Sequence, residues 1–249
     1  KAFYPADYPQ TNPTPLLDAL RDLTLEKADG FWRCTACDVF TSDFDEHVAK
    51  SNNDHQCSKV QLTMGDIVRK ARAFAKRCRS DESKRSQCTG LDENDIHALY
   101  VYTLETEIYA SMNAAMREEE CGSEEMSKWQ VVIWHVQQAL KKLPPHRLVQ
   151  LYRGLRCKVT GYDEGKYLLW HQFSSSTVDA KVVKDFTDTG GSLFILRPLS
   201  KDSQGRLIDF LSEFEKEKEV LFGPNTWFRV QDKLEDGTKN FVADLLNIK

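Results

Sequence analysis

The sequence predicts an α+β fold, because helical patterns fill its first half and strand-like patterns fill its second half. In the first half, apolar residues recur at helical spacing, most clearly in IHALYVYTLETEIYASMNAAM, residues 96–116. After the Pro144-Pro145 pair, apolar residues recur at every second position, as in a strand; an example is LVQLYRGLRCKVT, residues 148–160. With 249 residues, 41% of them hydrophobic, the chain has enough apolar side chains to bury a core.

The individual elements follow from periodicity, capping residues and breakers. Four helices are predicted, at residues 16–25, 64–79, 92–120 and 123–143. Either Asp92 or Asn94 would cap the third helix, and residues 80–90, SDESKRSQCTG, are predicted to form a loop. Strands are predicted within residues 148–160, 170–178, 192–199 and 219–234, and residues 240–249 would close the sheet.

A cluster of cysteines and histidines lies in residues 31–57. Cys34-x-x-Cys37 has the spacing of a zinc knuckle, and a later histidine plus one more ligand would complete a tetrahedral site. We predict a closed structural zinc site formed by Cys34, Cys37, His47 and Cys57, with His55 as the alternative fourth ligand. The competing interpretation is a loop of unligated cysteines and surface histidines. The sequence thus predicts an N-terminal extension at residues 1–60 and a catalytic domain at residues 61–249.

Composition and charge exclude several classes of function. The net charge is −4 and the pI is about 5.9, which is not typical of a general binder of nucleic acids or acidic membranes. No apolar run approaches the about 20 residues of a transmembrane helix, and the polar, proline-rich start does not resemble a signal peptide. The seven cysteines do not form a dense disulfide pattern, which favours a cytoplasmic location, with secretion as the alternative.

Three short motifs in the second half carry residues suited to chemistry. They are an arginine in an apolar strand at Leu151–Leu155, an aromatic followed by four hydroxyl residues at Phe173–Thr177, and Glu-Lys-Glu-Val-Leu-Phe at residues 217–222. In their order and spacing the three motifs resemble the mono-ADP-ribosyltransferases of the arginine–serine–glutamate class, arginine-specific type. The resemblance extends over about residues 61–245. It implies a split core of two β-sheets with helices packed on it, and NAD as co-substrate.

The resemblance also assigns roles to the first two motifs. Arg153 would bind the NAD pyrophosphate, since a guanidinium donates paired hydrogen bonds to phosphate oxygens. Gly154, which has no Cβ, would let the backbone approach the nicotinamide amide. Ser175 would orient the catalytic glutamate and contact the ribose, and Ser176 beside it would also bind NAD. The competing interpretations are an edge-strand arginine paired with an acid and a hydroxyl-rich turn; Thr177 would also cap a helix starting near Asp179.

In the third motif, Glu219 matches the catalytic glutamate, which would accept the ribose 2′-hydroxyl and stabilise the cation formed when nicotinamide leaves. Glu217 lies two residues earlier and would share a face with Glu219 in an extended segment. A glutamate at this position in the family accompanies arginine as the acceptor, since a carboxylate pairs with a guanidinium and helps remove its proton. The neighbouring Glu213 and Glu215 are interpreted as solvated charges.

Further NAD contacts are implied outside the three motifs. Phe186 follows Ser175 at the distance at which related toxins place an aromatic residue against nicotinamide. Tyr109 and Asn113 are four residues apart on one helix face and match a pair that lines the NAD cleft. Core packing for Phe186 and Tyr109, and solvation for Asn113, are the alternatives.

The function predicted from the resemblance is transfer of ADP-ribose from NAD to an exposed arginine of an acceptor protein, without membrane attachment. The first alternative is an NAD glycohydrolase, in which water is the acceptor. A nucleic-acid acceptor is left open by the basic helix at residues 69–79. The non-enzymatic alternative is a zinc-containing interaction protein with an inactive transferase fold.

Overall fold

The computed structural model of the chain describes residues 14–23, 32–34, 40–41, 57–59, 63–104, 106–118, 123–146, 150–155, 157–183, 191–197 and 204–232. These residues fall into two compact units, one within residues 8–139 and one from residue 140 onward. The predicted boundary near residue 60 stays a prediction.

The first unit contains six helices among its described residues, the last of which runs on to Lys142. They are α1 (Leu16–Arg21), α2 (Met64–Ser80), α3 (Glu82–Gln87), α4 (Glu93–Thr103), α5 (Glu107–Glu118) and α6 (Glu124–Lys142). The unit also contains a small antiparallel sheet in the order β2-β1-β3, formed by β1 (Trp32–Cys34), β2 (Phe40–Thr41) and β3 (Cys57–Lys59).

Capping side chains fix the starts of the main helices. α2 begins with a capping box in which Thr63 and Asp66 exchange side-chain and backbone hydrogen bonds. Asp92 and Asp95 do the same for α4, so Asp92, rather than Asn94, is the cap. The buried faces of α2 and α4 meet, and the rings of Phe74 and Tyr100 stack with centroids 4.1 Å apart.

Two predictions for the helical half are wrong. Residues 80–90 were predicted to form a loop, but they contain α3, because Asp81 caps it through the N–H of Lys84 and good helix formers follow. After α3 the chain turns at residues 88–90, where Gly90 has a φ of +88°. Residues 92–120 were predicted to form one helix, but α4 ends at Thr103. The next residue, Leu104, has an extended backbone and a fully buried side chain.

The second unit contains seven strands among its described residues: β4 (Leu151–Leu155), β5 (Tyr167–Trp170), β6 (Ser174–Thr177), β7 (Ser192–Leu196), β8 (Gly205–Leu207), β9 (Glu219–Phe222) and β10 (Thr226–Arg229). Five of them form an antiparallel sheet in the order β7-β4-β6-β9-β8, and β5 pairs with β10. The predicted strands at 170–178 and 219–234 therefore each contain parts of two strands, which belong to different sheets.

The core of this unit lies between the two sheets. Leu151, Leu196, Val220 and Phe222 of the larger sheet pack with Trp170 of the smaller one. The Trp170 ring lies 4.3 Å from the ring of Phe228, centroid to centroid. The strands β6 and β9, which carry two of the three motifs, are therefore central strands with a packed core on one side.

Strand β8 was not predicted from the sequence. It is three residues long and begins with a glycine, so it shows no clear alternation. Gly205 lies so close to β9 that a Cβ there would be 2.8 Å from Cγ1 of Val220. In the part of the chain that the structure describes, no helix has the length and apolar character needed to cross a membrane.

Candidate active site

Two neighbouring strands, β6 and β9, bring a serine and a glutamate into contact. Their antiparallel pairing places Thr177 opposite Glu219 and Ser175 opposite Leu221. Ser175 and Glu219 are therefore diagonal neighbours on one face of the sheet. The Ser175 hydroxyl donates a hydrogen bond to Oε1 of Glu219, and the glutamate is only 8% exposed. The carboxyl group is thus held in one position by a strand that is distant in sequence.

Arg153 reaches the same place from β4, on the other side of β6. Its Nη1 donates a hydrogen bond of 2.5 Å to the backbone carbonyl oxygen of Ser175. Its Cζ lies 5.3 Å from the centroid of the Trp170 ring, within the range of a cation–π interaction. The structure therefore brings Arg153, Ser175 and Glu219 together, as the three motifs predict.

The environment of Glu219 opposes its ionisation. The pKa of this carboxyl group is raised from 4.5 to about 7, mainly by burial and also by the negative charge of Glu217. The hydrogen bond from Ser175 and the positive charge of Arg153 act in the opposite direction and lower the pKa. At neutral pH the Glu219 carboxyl group is therefore close to the midpoint of its titration.

The chain that leads into β9 is not extended. Glu215–Glu217 form a 3₁₀ turn, and Lys218 adopts the left-handed conformation with φ 48° and ψ 52°. The expectation that Glu217 and Glu219 share a face of an extended segment is therefore wrong. Glu217 is exposed whereas Glu219 is buried, yet Glu217 is close enough for its charge to act on Glu219.

Three consecutive hydroxyl groups of β6, residues 175–177, all donate to the segment that carries the two glutamates. The first donates to the carboxyl group of Glu219, the second to the carbonyl oxygen of Val220 at 2.9 Å, and the third to the carbonyl oxygen of Glu217 at 2.6 Å. The Thr177 hydroxyl also accepts from the N–H of Asp179 at 3.0 Å. In the 3₁₀ turn Ala180–Val183 the N–H of Lys181 is bound by the Asp179 side chain, so capping by Thr177 stays a prediction.

The other residues predicted to contact NAD are only partly described. Gly154 follows Arg153 within β4, and Phe186 lies outside the described residues. In the first unit, Tyr109 is 41% exposed and Asn113 is buried. Both contact Tyr102, the first by an edge-on ring contact and the second by a hydrogen bond of 3.3 Å, so they share one helix face. Their role in NAD binding stays a prediction.

The predicted zinc site also lies largely outside the described residues. This applies to Cys37, His47 and the alternative ligand His55. In the small sheet, Cys34 of β1 is the register partner of Cys57 of β3, so two of the predicted ligands lie opposite each other in the backbone pairing. Among the described side chains there is no group of three or more potential metal ligands.

Sequence reasoning missed two residues that shape the site. Trp170 stacks under the Arg153 guanidinium, a contact that depends on how the two sheets pack and has no local pattern. Lys218 adopts a left-handed backbone, which a lysine gives no reason to expect because this region favours glycine and asparagine.

The sequence matches the NAD:arginine ADP-ribosyltransferase family over residues 39–247. The chain belongs to this family. It is 27% identical over 192 residues to the NAD(+)–protein-arginine ADP-ribosyltransferase Tre1 of Serratia proteamaculans (strain 568), a match that covers 74% of this chain and 40% of Tre1. The chain thus spans about 40% of the length of that relative.

Two solved structures share the fold of this chain. The eucaryotic mono-ADP-ribosyltransferase ART2.2 superimposes with a TM-score of 0.52 and 19% identity, over 69% of this chain and 82% of ART2.2. The type III effector XopAI from Xanthomonas axonopodis pv. citri superimposes with a TM-score of 0.53 and 19% identity, over 68% of this chain and 68% of XopAI. These likenesses confirm the ADP-ribosyltransferase-like α+β fold.

Proposed function

We propose that this chain transfers ADP-ribose from NAD to the side chain of an arginine on an acceptor protein and releases nicotinamide. The observation that supports this function most directly is the hydrogen bond from Ser175 to Glu219 beside the Arg153 guanidinium. These three side chains come from separate strands and have the chemistry that the reaction needs. The Serratia relative is an NAD(+)–protein-arginine ADP-ribosyltransferase, which supports arginine as the acceptor.

In this proposal the second unit binds the reacting half of NAD. Arg153 donates hydrogen bonds to the pyrophosphate, and Trp170 keeps its guanidinium in place. Gly154 allows close approach of the backbone to the nicotinamide amide. Ser176 shapes the site by fixing β6 to β9 through Val220. The family resemblance adds Phe186, Tyr109 and Asn113 as further contacts to the dinucleotide.

Cleavage of NAD requires stabilisation of a positive charge. The bond between C1′ of the ribose and the nicotinamide nitrogen breaks, nicotinamide leaves with the bonding electrons, and the ribose becomes cationic. The ionised Glu219, held by Ser175, accepts a hydrogen bond from the 2′-hydroxyl and stabilises this cation. Because Glu219 is buried, its charge acts through a medium of low dielectric constant and is strong.

The acceptor completes the reaction. A nitrogen of the arginine side chain attacks C1′ from the face opposite to the departing nicotinamide, with inversion, and loses one proton. Glu217 is exposed and lies close to Glu219, so it can pair with the incoming guanidinium and take up that proton. This role differs from that of Glu219, which serves the cleavage step.

The two roles are separated by measuring nicotinamide release and labelling of agmatine, a small guanidinium compound, with the same enzyme preparations. Glu219→Gln is expected to abolish both activities. Glu217→Gln is expected to lower agmatine labelling and to retain NAD hydrolysis. Glu215→Gln, in the same turn and also exposed, is the matched control and should keep both activities. Full labelling by Glu219→Gln would refute the assignment.

The same assay distinguishes the remaining candidate functions. Nicotinamide release without label on agmatine or protein would identify an NAD glycohydrolase. Label on DNA instead of protein would identify a nucleic-acid acceptor. A wild-type chain that neither binds nor cleaves NAD would favour an inactive interaction protein.

We further propose that Cys34, Cys37, His47 and Cys57 bind a structural zinc ion in the extension formed by residues 1–60, apart from the catalytic residues in 61–249. The Cys-x-x-Cys spacing and the pairing of Cys34 with Cys57 support this site. Metal analysis of the purified chain should find one zinc ion, which Cys34→Ser removes. Comparing Cys57→Ser with His55→Ala identifies the fourth ligand. A chain purified in the presence of zinc without bound metal would contradict the proposal.

A further inference from the structure

The backbone of Glu217 is bound on both sides. Its carbonyl oxygen accepts a hydrogen bond of 2.6 Å from the Thr177 hydroxyl, and its N–H donates to the carbonyl oxygen of Phe214 at 3.0 Å. Thr177 is 4% exposed and belongs to β6, a central strand of the sheet. The hydroxyl group of Thr177 therefore ties the backbone of an exposed glutamate to a buried strand.

Lys218, the residue after Glu217, has a backbone conformation that its surroundings must stabilise. Lys218 has a φ of 48°, a conformation that is unfavourable for a residue with a Cβ. This conformation reverses the chain between the exposed Glu217 and the buried Glu219. Such a backbone persists where its surroundings hold it on both sides. Here the Thr177 hydroxyl holds the residue before Lys218, and the pairing of β9 with β6 holds the residue after it.

The two glutamates therefore depend on different hydroxyl groups of the same strand. Ser175 bonds to the side chain of Glu219, whereas Thr177 bonds to the main chain of Glu217. Removal of the Thr177 hydroxyl would leave the Ser175 bond to Glu219 in place. It would also remove the hydroxyl donor from the carbonyl oxygen of Glu217, so the turn Glu215–Glu217 would be able to relax.

We propose that Thr177 is a positioning residue for Glu217, and that its hydroxyl sets the preference of the site for a guanidinium acceptor over water. The inference rests on the proposed transferase function and deepens it. It concerns the acceptor step alone, since Thr177 acts on the main chain of Glu217 and not on the reacting atoms.

The test uses the nearly isosteric substitution Thr177→Val, which removes the hydroxyl group and keeps the volume of the side chain. Initial rates of agmatine labelling and of nicotinamide release into water are measured in parallel. Thr177→Val is expected to lower the ratio of transfer to hydrolysis by roughly fivefold, the effect of losing one buried hydrogen bond. Thr177→Ser keeps a hydroxyl group and is expected to show the wild-type ratio of transfer to hydrolysis.

The matched control is Thr226→Val in the two-stranded sheet. The Thr226 hydroxyl is buried like that of Thr177 and also donates to a main-chain carbonyl oxygen, that of Gly223, at 2.6 Å. This control is expected to lower Tm without changing the ratio of transfer to hydrolysis. If Thr177→Val and Thr226→Val lower the ratio of transfer to hydrolysis equally, a general loss of stability is the cause, and the inference is overturned.

The outcomes separate this inference from the proposed function. A wild-type chain that labels agmatine, with an unchanged ratio in Thr177→Val, overturns the role of Thr177 and leaves the transferase function intact. A wild-type chain that labels no guanidinium acceptor overturns both. Thr177→Ala also lacks the hydroxyl group and adds no new atoms, so it replaces Thr177→Val if the valine variant does not fold.

Discussion

At the scale of single residues, Glu219 has to be ionised for the proposed chemistry although its surroundings favour the protonated form. Folding raises its pKa from 4.5 to about 7, so the folded chain binds this proton more tightly than the unfolded chain does. The contribution of the protonated group to stability is complete below about pH 4.5 and is lost as the pH rises through about 7.

A neutral replacement should therefore be more stable than the wild type at high pH. Glu219→Gln is expected to raise Tm at pH 8 by at least about 3 °C, since a buried charge is removed. The difference should shrink towards pH 4.5, because the wild-type carboxyl group is then protonated in the folded chain and no buried charge remains. Thermal unfolding at both pH values measures it, with Glu215→Gln as the exposed control. A variant less stable than the wild type at pH 8 would contradict the burial argument.

The same titration predicts the pH dependence of NAD cleavage. kcat/KM for nicotinamide release is expected to rise with pH and to level off above about 7, as Glu219 becomes ionised in the free enzyme. In Glu217→Gln the midpoint should move to lower pH, because the negative charge that raises the pKa of Glu219 is gone. A midpoint that stays in place would show that the two glutamates do not interact.

Residues with local sequence motifs could be predicted, whereas residues defined by packing could not. Arg153, Ser175 and Glu219 each lie in a short recognisable motif, and the structure brings them together. Trp170 acts on Arg153 only because β5 packs against the larger sheet, which no nearby residue indicates. The zinc ligands and the NAD contacts outside the three motifs stay predictions.

At the scale of elements, the predictions of helix starts were correct where a capping side chain marks the start. The helix starts at Thr63 and Asp92 follow from their side chains, and the structure confirms helices there. The break at Leu104 interrupts a continuous helical pattern, because burial of that leucine in tertiary contacts outweighs local propensity. The strand β8 was missed because three residues are too few to show a period.

The close approach of β8 to β9 gives an element-scale prediction. Gly205→Ala would place a Cβ 2.8 Å from Val220 and 3.2 Å from the ring of Phe222, both in the core. We expect a loss of about 1–3 kcal/mol of stability from overpacking. Gly223→Ala is the control, since nothing lies within 4 Å of its added Cβ. Chemical denaturation of both variants measures the difference, and equal stabilities would contradict the contact.

At the scale of the whole molecule, the predicted boundary at residue 60 can be tested through α1. This helix lies before the boundary but packs against α2 and α4, and its leucines Leu16 and Leu20 are fully buried. Leu20→Ala is expected to cost about 2–5 kcal/mol in chemical denaturation. Removal of residues 1–60 should cost at least as much. A truncated chain as stable as the full chain would show that the catalytic domain starts after residue 60 and folds without α1.

The turn between β9 and β10 connects the strand that carries Glu219 directly to the smaller sheet. Within three residues, 223–225, the polypeptide leaves one sheet and enters the other. The strand that starts with Glu219 is thus anchored at its far end by aromatic rings that belong to both layers. Phe228→Ala, a change in the smaller sheet, is therefore expected to lower the rate of nicotinamide release by loosening β9.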